Sequence, residues 1–460
     1  MSKHNSLSEL FTDIADAIRE KTGDTGIIPA VEFPDMIRNN LEAAPPPPYL
    51  TFKSPSSFTL AVNDATKHWD GTLEYSTDAS TWSTWDGTTT LSSATSGSGN
   101  ILYLRGTGNT KITGNSSNYK WVLTGSNIKC IGNVETLLDY ATVESRAHPT
   151  MANYCYYYMF YKCTSLTQAP ALPATMLATH CYAYMFRGCT SLTNAPALPA
   201  TTLAESCYYY MFQGCSSLTQ APALPATTLA TYCYGSMFNG CTSLTQAPEL
   251  PATTLANYCY YSMFNGCTSL TQAPALPATT LTLSCYSIMF RGCTSLTQAP
   301  ALPATTLANN CYSTMFGECT SLTQAPALPA TTLANSCYQY MFNKCTSLTQ
   351  APALPATTLA NYCYNNMFNN CTRLTQVPAL SVTTLTANCY QYMFNGCANI
   401  KLSSTQTGEY TQEYRIPASG AGTTATDALT DMFTYTGGTF TGTPEINTTY
   451  YLSNTNTVVS

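Results

Sequence analysis

Apolar positions recur along most of this chain with a fixed period. Cysteines stand at 163, 189, 215, 241, 267, 293, 319, 345, 371 and 397, always 26 residues apart, and a second series runs eight residues ahead, from Cys155 to Cys389. One unit reads CYYSMFNGCTSLTQAPALPATTLTLS, from Cys259 to Ser284. In all ten copies Tyr follows the first Cys, and Met and Phe stand four and five residues after it. Leu177, Cys181 and Met185, with Phe186 beside them, fall at i, i+4 and i+8, the stripe of an amphipathic helix. Thr175 is placed to cap that helix, and Gly188 to end it in the left-handed conformation. Ser165–Ala169 predicts a short strand closed by Pro170 and Pro173, which cannot donate to a ladder. Each unit is then one strand and one short helix, unable to bury its apolar face alone, so neighbours must stack. Parallel stacking at about 4.8 Å makes ten units a sheet of roughly 50 Å. Its structural core is expected at Cys155, Met159, Phe160, Cys163 and Leu166, and again at Cys181, Met185, Phe186, Cys189 and Leu192.

Outside the repeats the pattern changes. Residues 1–41 carry a helical stripe at Leu7, Phe11, Ile14 and Ile18, ended by Gly23, and are expected to form a small attachment or oligomerisation module. Residues 42–48 (EAAPPPP) form a stiff linker. Residues 49–124 alternate in short runs between turn residues and hold all four Trp, which predicts an Ig-like β-sandwich spacer. Trp82 or Trp85 there could stack on a sugar, although core packing is the commoner use. The solenoid with its N-terminal cap is assigned to 125–400. A C-terminal cap falls in 401–460, where Asp431-Met432-Phe433 echoes the repeat and TTYYLSNTNTVVS suits a closing strand. The fold class is thus an α/β solenoid of 26-residue units behind a helical module and a β-sandwich.

Composition narrows the function. Only 9% of the residues are charged and the net charge is −6, which argues against nucleic acid as a partner. No apolar run approaches the roughly 20 residues of a membrane span, and the start does not read as a secretory leader. The 21 cysteines fit reduced, buried ladders. A Cys155–Cys163 disulfide is the alternative, weakened because a helix persisting between them would hold them about 12 Å apart, and C-x7-C is not a zinc spacing. Residues 151–397 hold only eight acidic or basic side chains, with no pairing suited to acid–base catalysis. His148 and His180 lie near Cys155 and Cys181, but the other cysteines of that series lack such neighbours. No catalytic, cofactor or metal residues are assigned. The Thr-Gln pair of the strand recurs as Thr167-Gln168, Thr219-Gln220, Thr245-Gln246, Thr271-Gln272 and Thr297-Gln298. Successive strand residues point to opposite sides, so one member should form an exposed polar ladder that faces a ligand or satisfies itself. The residues flanking each Cys-Tyr vary freely and are expected to point outward, by drift or for display.

The spacing of Phe160, Cys163 and Leu166, continuing to Phe394, Cys397 and Ile400, resembles the BspA-like leucine-rich repeats. That resemblance implies adhesion and surface recognition, with the proline pair as a departure from its usual unit. Leu10–Thr22, with Ile28-Pro29 and Glu32-Phe33-Pro34, resembles an N-terminal module of gut-bacteriophage tail and prophage structural proteins. Together these imply a non-enzymatic virion protein, tail-associated or receptor-binding. It would bind a bacterial surface glycan or protein and contact other tail proteins through residues 1–41, as a trimer by analogy. The alternative is a bacterial cell-surface adhesin.

Overall fold

The computed structural model describes residues 49–97, 99–382, 384–418 and 427–459. The expectations for residues 1–41 and 42–48 therefore lie outside the described residues.

Nine strands precede the repeats among the described residues: β1 (Leu50–Ser54), β2 (Thr59–Val62), β3 (Thr72–Ser76), β4 (Ser83–Trp85), β5 (Leu91–Ser92), β6 (Ala94–Ser96), β7 (Gly99–Thr107), β8 (Trp121–Thr124) and β9 (Ile128–Ile131). A short helix, α1 (Thr136–Glu144), follows and is interrupted at Asp139. One sheet has the order β10-β9-β1-β7-β3-β4 with β6 on β7, and the other β5-β2-β8. Here β10 (Leu166–Gln168) belongs to the first repeat and pairs with β9 in parallel, Leu166 opposite Ile128. Trp69, Trp85 and Trp121 are buried; Trp85 is therefore core, and Trp82 is half-buried under the Arg105 guanidinium, 4.1 Å from its ring.

The repeat contains no α-helix among its described residues, which corrects the strand-plus-helix expectation. Each Cys-Tyr-x-x-Met-Phe-x-x-Cys segment is instead a run of four-residue turns. In the first repeat Tyr157 N–H donates back to Tyr154 O (3.3 Å) and Met159 N–H to Tyr156 O (3.1 Å). The N–H groups between them donate forward to the next repeat, Tyr158 to Ala183 O (3.2 Å) and Phe160 to Met185 O (2.9 Å). An α-helix would use these donors internally. Here half of them bind adjacent rungs together. Each turn closes on a residue with positive φ, at Tyr154 (61°), Tyr158 (57°) and Lys162 (60°), and the pattern recurs in every rung. Gly188 does take the left-handed conformation, φ 74°, but it ends a turn. Thr175 and Met176 cap no helix: Met176 is 83% exposed and pairs across rungs with Thr202.

The turns send side chains inward and outward in pairs. Cys155-Tyr156 and Met159-Phe160 point in and are buried, with Cys163 and Leu166 completing the interior. The same positions are buried in all ten rungs, Cys181, Met185, Phe186, Cys189 and Leu192 included. The phenyl rings stack from Phe160 to Phe433 with centroids 5.5–5.8 Å apart. A second column, Tyr156 to Tyr390, stacks at 5.5–5.9 Å. Burial of one Phe or Met stabilises by about 1.5–3 kcal/mol, and only a neighbouring rung can supply it.

The stack is closed at both ends by the chain itself. Ile112 N–H donates to Cys155 O (2.9 Å) and Trp121 N–H to Met159 O (2.8 Å). Residues expected in a separate spacer thus complete the first rung, and one apolar cluster runs from Leu50 to Leu452. At the far end residues 427–435 add a partial rung: Tyr390 N–H donates to Ala428 O (2.9 Å) and Phe394 N–H to Met432 O (3.0 Å). Around it lie β11 (Gln376–Pro378), β12 (Lys401–Ser403), β13 (Tyr410–Arg415), β14 (Gly437–Gly438), β15 (Thr449–Ser453) and β16 (Thr457–Val459). The last two fall in the stretch read as a closing strand, and β16 pairs in parallel with β11.

Candidate functional site

The second and third residues after each first Cys form one continuous face of the stack, where the rungs differ; its tyrosines are half-buried apart from the exposed Tyr340, and Ala183, Ser236, Ser262, Asn365 and Asn366 are buried. The third position after each first Cys is Tyr158, Tyr184, Tyr210, Ser236, Ser262, Ile288, Thr314, Tyr340, Asn366 and Tyr392. Tyr, Ser, Asn and Gly dominate this face, the residue types that give rigid amphipathic contact and adaptable hydrogen bonding in antibody paratopes.

At its N-terminal end the face is aromatic and basic. Tyr158, Tyr184 and Tyr210 stack in sequence, at 4.4 Å and then 5.1 Å, and Tyr157 and Tyr209 pack edge-on against Tyr184. All five are half-buried. Burial pushes the Tyr157 phenol up to about 12 and raises Tyr158, which the Arg187 guanidinium opposes. Three cations surround one ring: Lys120 Nζ and Lys162 Nζ each lie 5.2 Å from the Tyr161 centroid, and the Arg187 guanidinium carbon 5.6 Å. Arg187 also lies 5.5 Å from Tyr184 and from Tyr210. Beside them an open cleft of about 450 Å³ is lined by Lys67, His68, Lys111, Tyr119, Asn153 and Tyr154. His68 stacks on Tyr119 at 3.8 Å and Tyr154 on His180 at 4.8 Å.

The Thr-Gln ladder lies on a different face, and the two members do not alternate. Thr219, Gln220, Thr245, Gln246, Thr271, Gln272, Thr297 and Gln298 are all exposed, as is Gln168, while Thr167 is half-buried. The pleat that would alternate them is missing because beyond β10 the strand shrinks to single bridges, such as Gln220 to Gln246. Thr hydroxyls are used within the stack. Thr167 Oγ1 donates to Ile128 O (3.1 Å) and Thr271 Oγ1 to Thr245 O (3.5 Å). The Gln amides stand outside, alongside shallow surfaces of Ala and Pro.

The thiols are interior groups. All 21 cysteines are free and buried. From Cys189 to Cys397 each Sγ–H donates to the Phe carbonyl of the rung before, as Cys189 to Phe160 O (3.0 Å) and Cys267 to Phe238 O (3.1 Å), while Cys163 donates to Trp121 O (3.4 Å). Burial pushes Cys163, Cys215, Cys267 and Cys319 up to about 12, against the ordinary 9.0. The suggested Cys–His pairs do not form: His148 Nδ1 meets Glu135 Oε2 at 2.9 Å, and His180 stacks on Tyr154. No cluster of three metal-binding side chains occurs among the described residues.

Sequence reasoning placed the variable positions outward but singled out the ladder and passed over the tyrosine–cation end. The usable signal was Tyr at all five positions of 154–161 other than Cys155 and Met159-Phe160, next to Lys162 and with Tyr161 one period before Arg187.

The BspA type leucine rich repeat region family matches in six copies, over residues 150–297 and 257–401, more than half of the chain. No curated protein and no solved structure matches it. The resemblance of the repeat is thereby borne out. The comparisons matched no phage tail or prophage protein, and the segment that suggested one lies outside the described residues.

Proposed function

The chain belongs to the BspA-type leucine-rich-repeat family, and from that premise we propose that it is a non-enzymatic surface-recognition protein of the adhesin kind. The rungs are read as a solenoid, and the two N-terminal sheets as a sandwich-like unit that starts it. The observation that carries this reading is the division of the turns. Ten rungs keep one interior of Cys, Tyr, Met, Phe and Leu, while the second and third positions after the first Cys change from rung to rung and present half-buried or exposed Tyr and Gln in six of the rungs, with buried Ser or Asn between. Extended surfaces of that form suit a large partner better than a small substrate. No helix of the described residues is long and apolar enough to cross a membrane.

Two faces are candidates for contact: the Gln row (Gln168, Gln220, Gln246, Gln272 and Gln298) with its Thr partners, and the turn face. The matches favour a cell-surface adhesin over a virion component. Adhesion of the purified full chain to intact bacterial and host cells tests the reading. Gln220→Ala, Gln246→Ala and Gln272→Ala combined should lower adhesion at least tenfold if the ladder makes the contact. Adhesion no greater than that of an unrelated acidic protein would end the proposal. Immunogold labelling of cells and of phage particles separates the two locations.

A further inference from the structure

We infer that the N-terminal end of the turn face binds an acidic polysaccharide, seating its anionic groups among Lys120, Lys162 and Arg187 and its sugar rings against Tyr158, Tyr184 and Tyr210. The inference rests on the recognition role proposed above and names the ligand class.

Charge placement is the first argument. Farther along the stack Arg291 and Lys344 meet Glu318 at 3.0 and 3.7 Å. Lys120, Lys162 and Arg187 have no carboxylate within salt-bridge distance among the described residues, although the chain as a whole is acidic. Three like charges gathered around the Tyr161 ring repel one another until an anion settles between them. A carboxylate or sulfate supplies that charge with charge-assisted hydrogen bonds.

The aromatic row ends where the cations end. Beyond Tyr210 the stacked position becomes Ser236 and Ser262, and beyond Arg187 its equivalents are Gln213, Asn239 and Asn265. The interior Cys, Tyr, Met, Phe and Leu are the same through all these rungs, so core packing does not explain why rings and cations share this end, where half-buried tyrosines replace the buried Ser236 and Ser262. The stacked tyrosines cover one another's faces and leave a row of ring edges and hydroxyls, which suits the C–H groups and hydroxyls along a polysaccharide. The adjoining cleft adds Lys67, Lys111 and Tyr119 on the same side as Tyr154, extending the surface beyond one sugar. Tyr and Arg also anchor protein interfaces, and the protease arm of the test below separates that outcome from a polysaccharide. The exposed large aliphatics, Met176 and Ile446, lie on other segments.

The test uses the intact chain with polygalacturonate (carboxylate), dextran sulfate (sulfate), neutral dextran and an oligothymidylate. Substitutions come from other rungs, where the same backbone position already accepts them. Lys162→Gly follows Gly188, Arg187→Asn follows Asn239, and Tyr184→Ser follows Ser236. The parent should bind at least one acidic polysaccharide about tenfold or more above dextran, and the combined variant should lose that preference. Tyr184→Ser alone should weaken binding several-fold at physiological salt, where pure ion exchange is largely screened. The proposal is overturned if neither acidic polymer exceeds dextran, if the variant matches the parent, if Tyr184→Ser changes nothing, or if oligothymidylate binds tighter. A parent that adheres to cells yet ignores both acidic polymers would defeat this inference and leave the recognition reading intact. Adhesion abolished by protease treatment of the cells, but not by glycosidase, would do the same.

Discussion

Raising the pH from about 8 to about 10 should unfold this protein in reducing buffer, because its interior is lined with thiols. The argument begins with Cys163, Cys215, Cys267 and Cys319, each fully buried or nearly so and pushed by burial to about 12 from the ordinary 9.0. Below about pH 9 these thiols are protonated in both folded and unfolded chains and stability is unaffected. Above it the unfolded chain loses protons that the folded chain retains, so stability falls until the folded value of about 12 is reached. At about pH 10 an exposed thiol is roughly ten-to-one ionised, which costs the fold about 1.4 kcal/mol per buried thiol. The four together cost about 6 kcal/mol, of the order of a whole domain's stability. The remaining ladder thiols and the stacked phenols act with the same sign. Urea midpoints measured by circular dichroism across that range, with thiol counts confirming that nothing has oxidised, should fall steeply. Cys215→Ala should flatten the slope by about one proton per molecule while leaving its sign. A midpoint that is flat between about pH 8 and 10 would mean that the thiols are ionisable in place, and the buried-ladder account would fail.

Thiol reagent should find almost no reactive cysteine in the native protein and all 21 after denaturation. Phe264→Ala, at the middle of the phenyl column, should cost about 3–5 kcal/mol, whereas the exposed Gln272→Ala should stay within about 0.5 kcal/mol; chemical denaturation compares them. Tyr286 has a buried hydroxyl without a partner, so Tyr286→Phe should leave stability unchanged or raise it by about 1 kcal/mol. Gly266→Val places a branched side chain at φ 73° and should destabilise by about 1–3 kcal/mol, read as a lower urea midpoint. Deleting Cys259–Ser284, one full period, should leave a folded shorter stack with unchanged tyrosine absorbance per ring, since Ser236 and Ile288 rungs present the same interior.

The repeat, its register and the buried Cys, Met, Phe and Leu were legible without coordinates, because a 26-residue period with those residues at constant offsets leaves one way to align neighbours; the buried Tyr156–Tyr390 column was not among the expected core. The echo at Met432-Phe433 was equally plain, and Phe433 does end the phenyl column 5.6 Å from Phe394. The helix was misread for an identifiable reason. Pairs pointing in, then out, every four residues put Leu177, Cys181 and Met185 on one side, just as a 3.6-residue helix would over so short a span. A left-handed residue every fourth position distinguishes the two, and here Tyr, Ser, Asn and Lys occupy many of those positions in place of the expected Gly.

What the chain's letters determined was therefore which side chains share an interior, since apolar groups at a fixed period have nowhere else to leave water. Tertiary structure alone decided the path of the backbone. A helix would satisfy these donors within its own segment, whereas the turns leave half of them for a neighbour, and only an adjacent rung offering carbonyls at the right height tips the choice toward turns. It also decided where function can lie. The repeat period already sets Lys162 and Arg187 beside Tyr161, but Lys120 stands 42 residues before Lys162 and outside the repeat, and only the folding of the N-terminal strands onto the first rung brings it to the same ring.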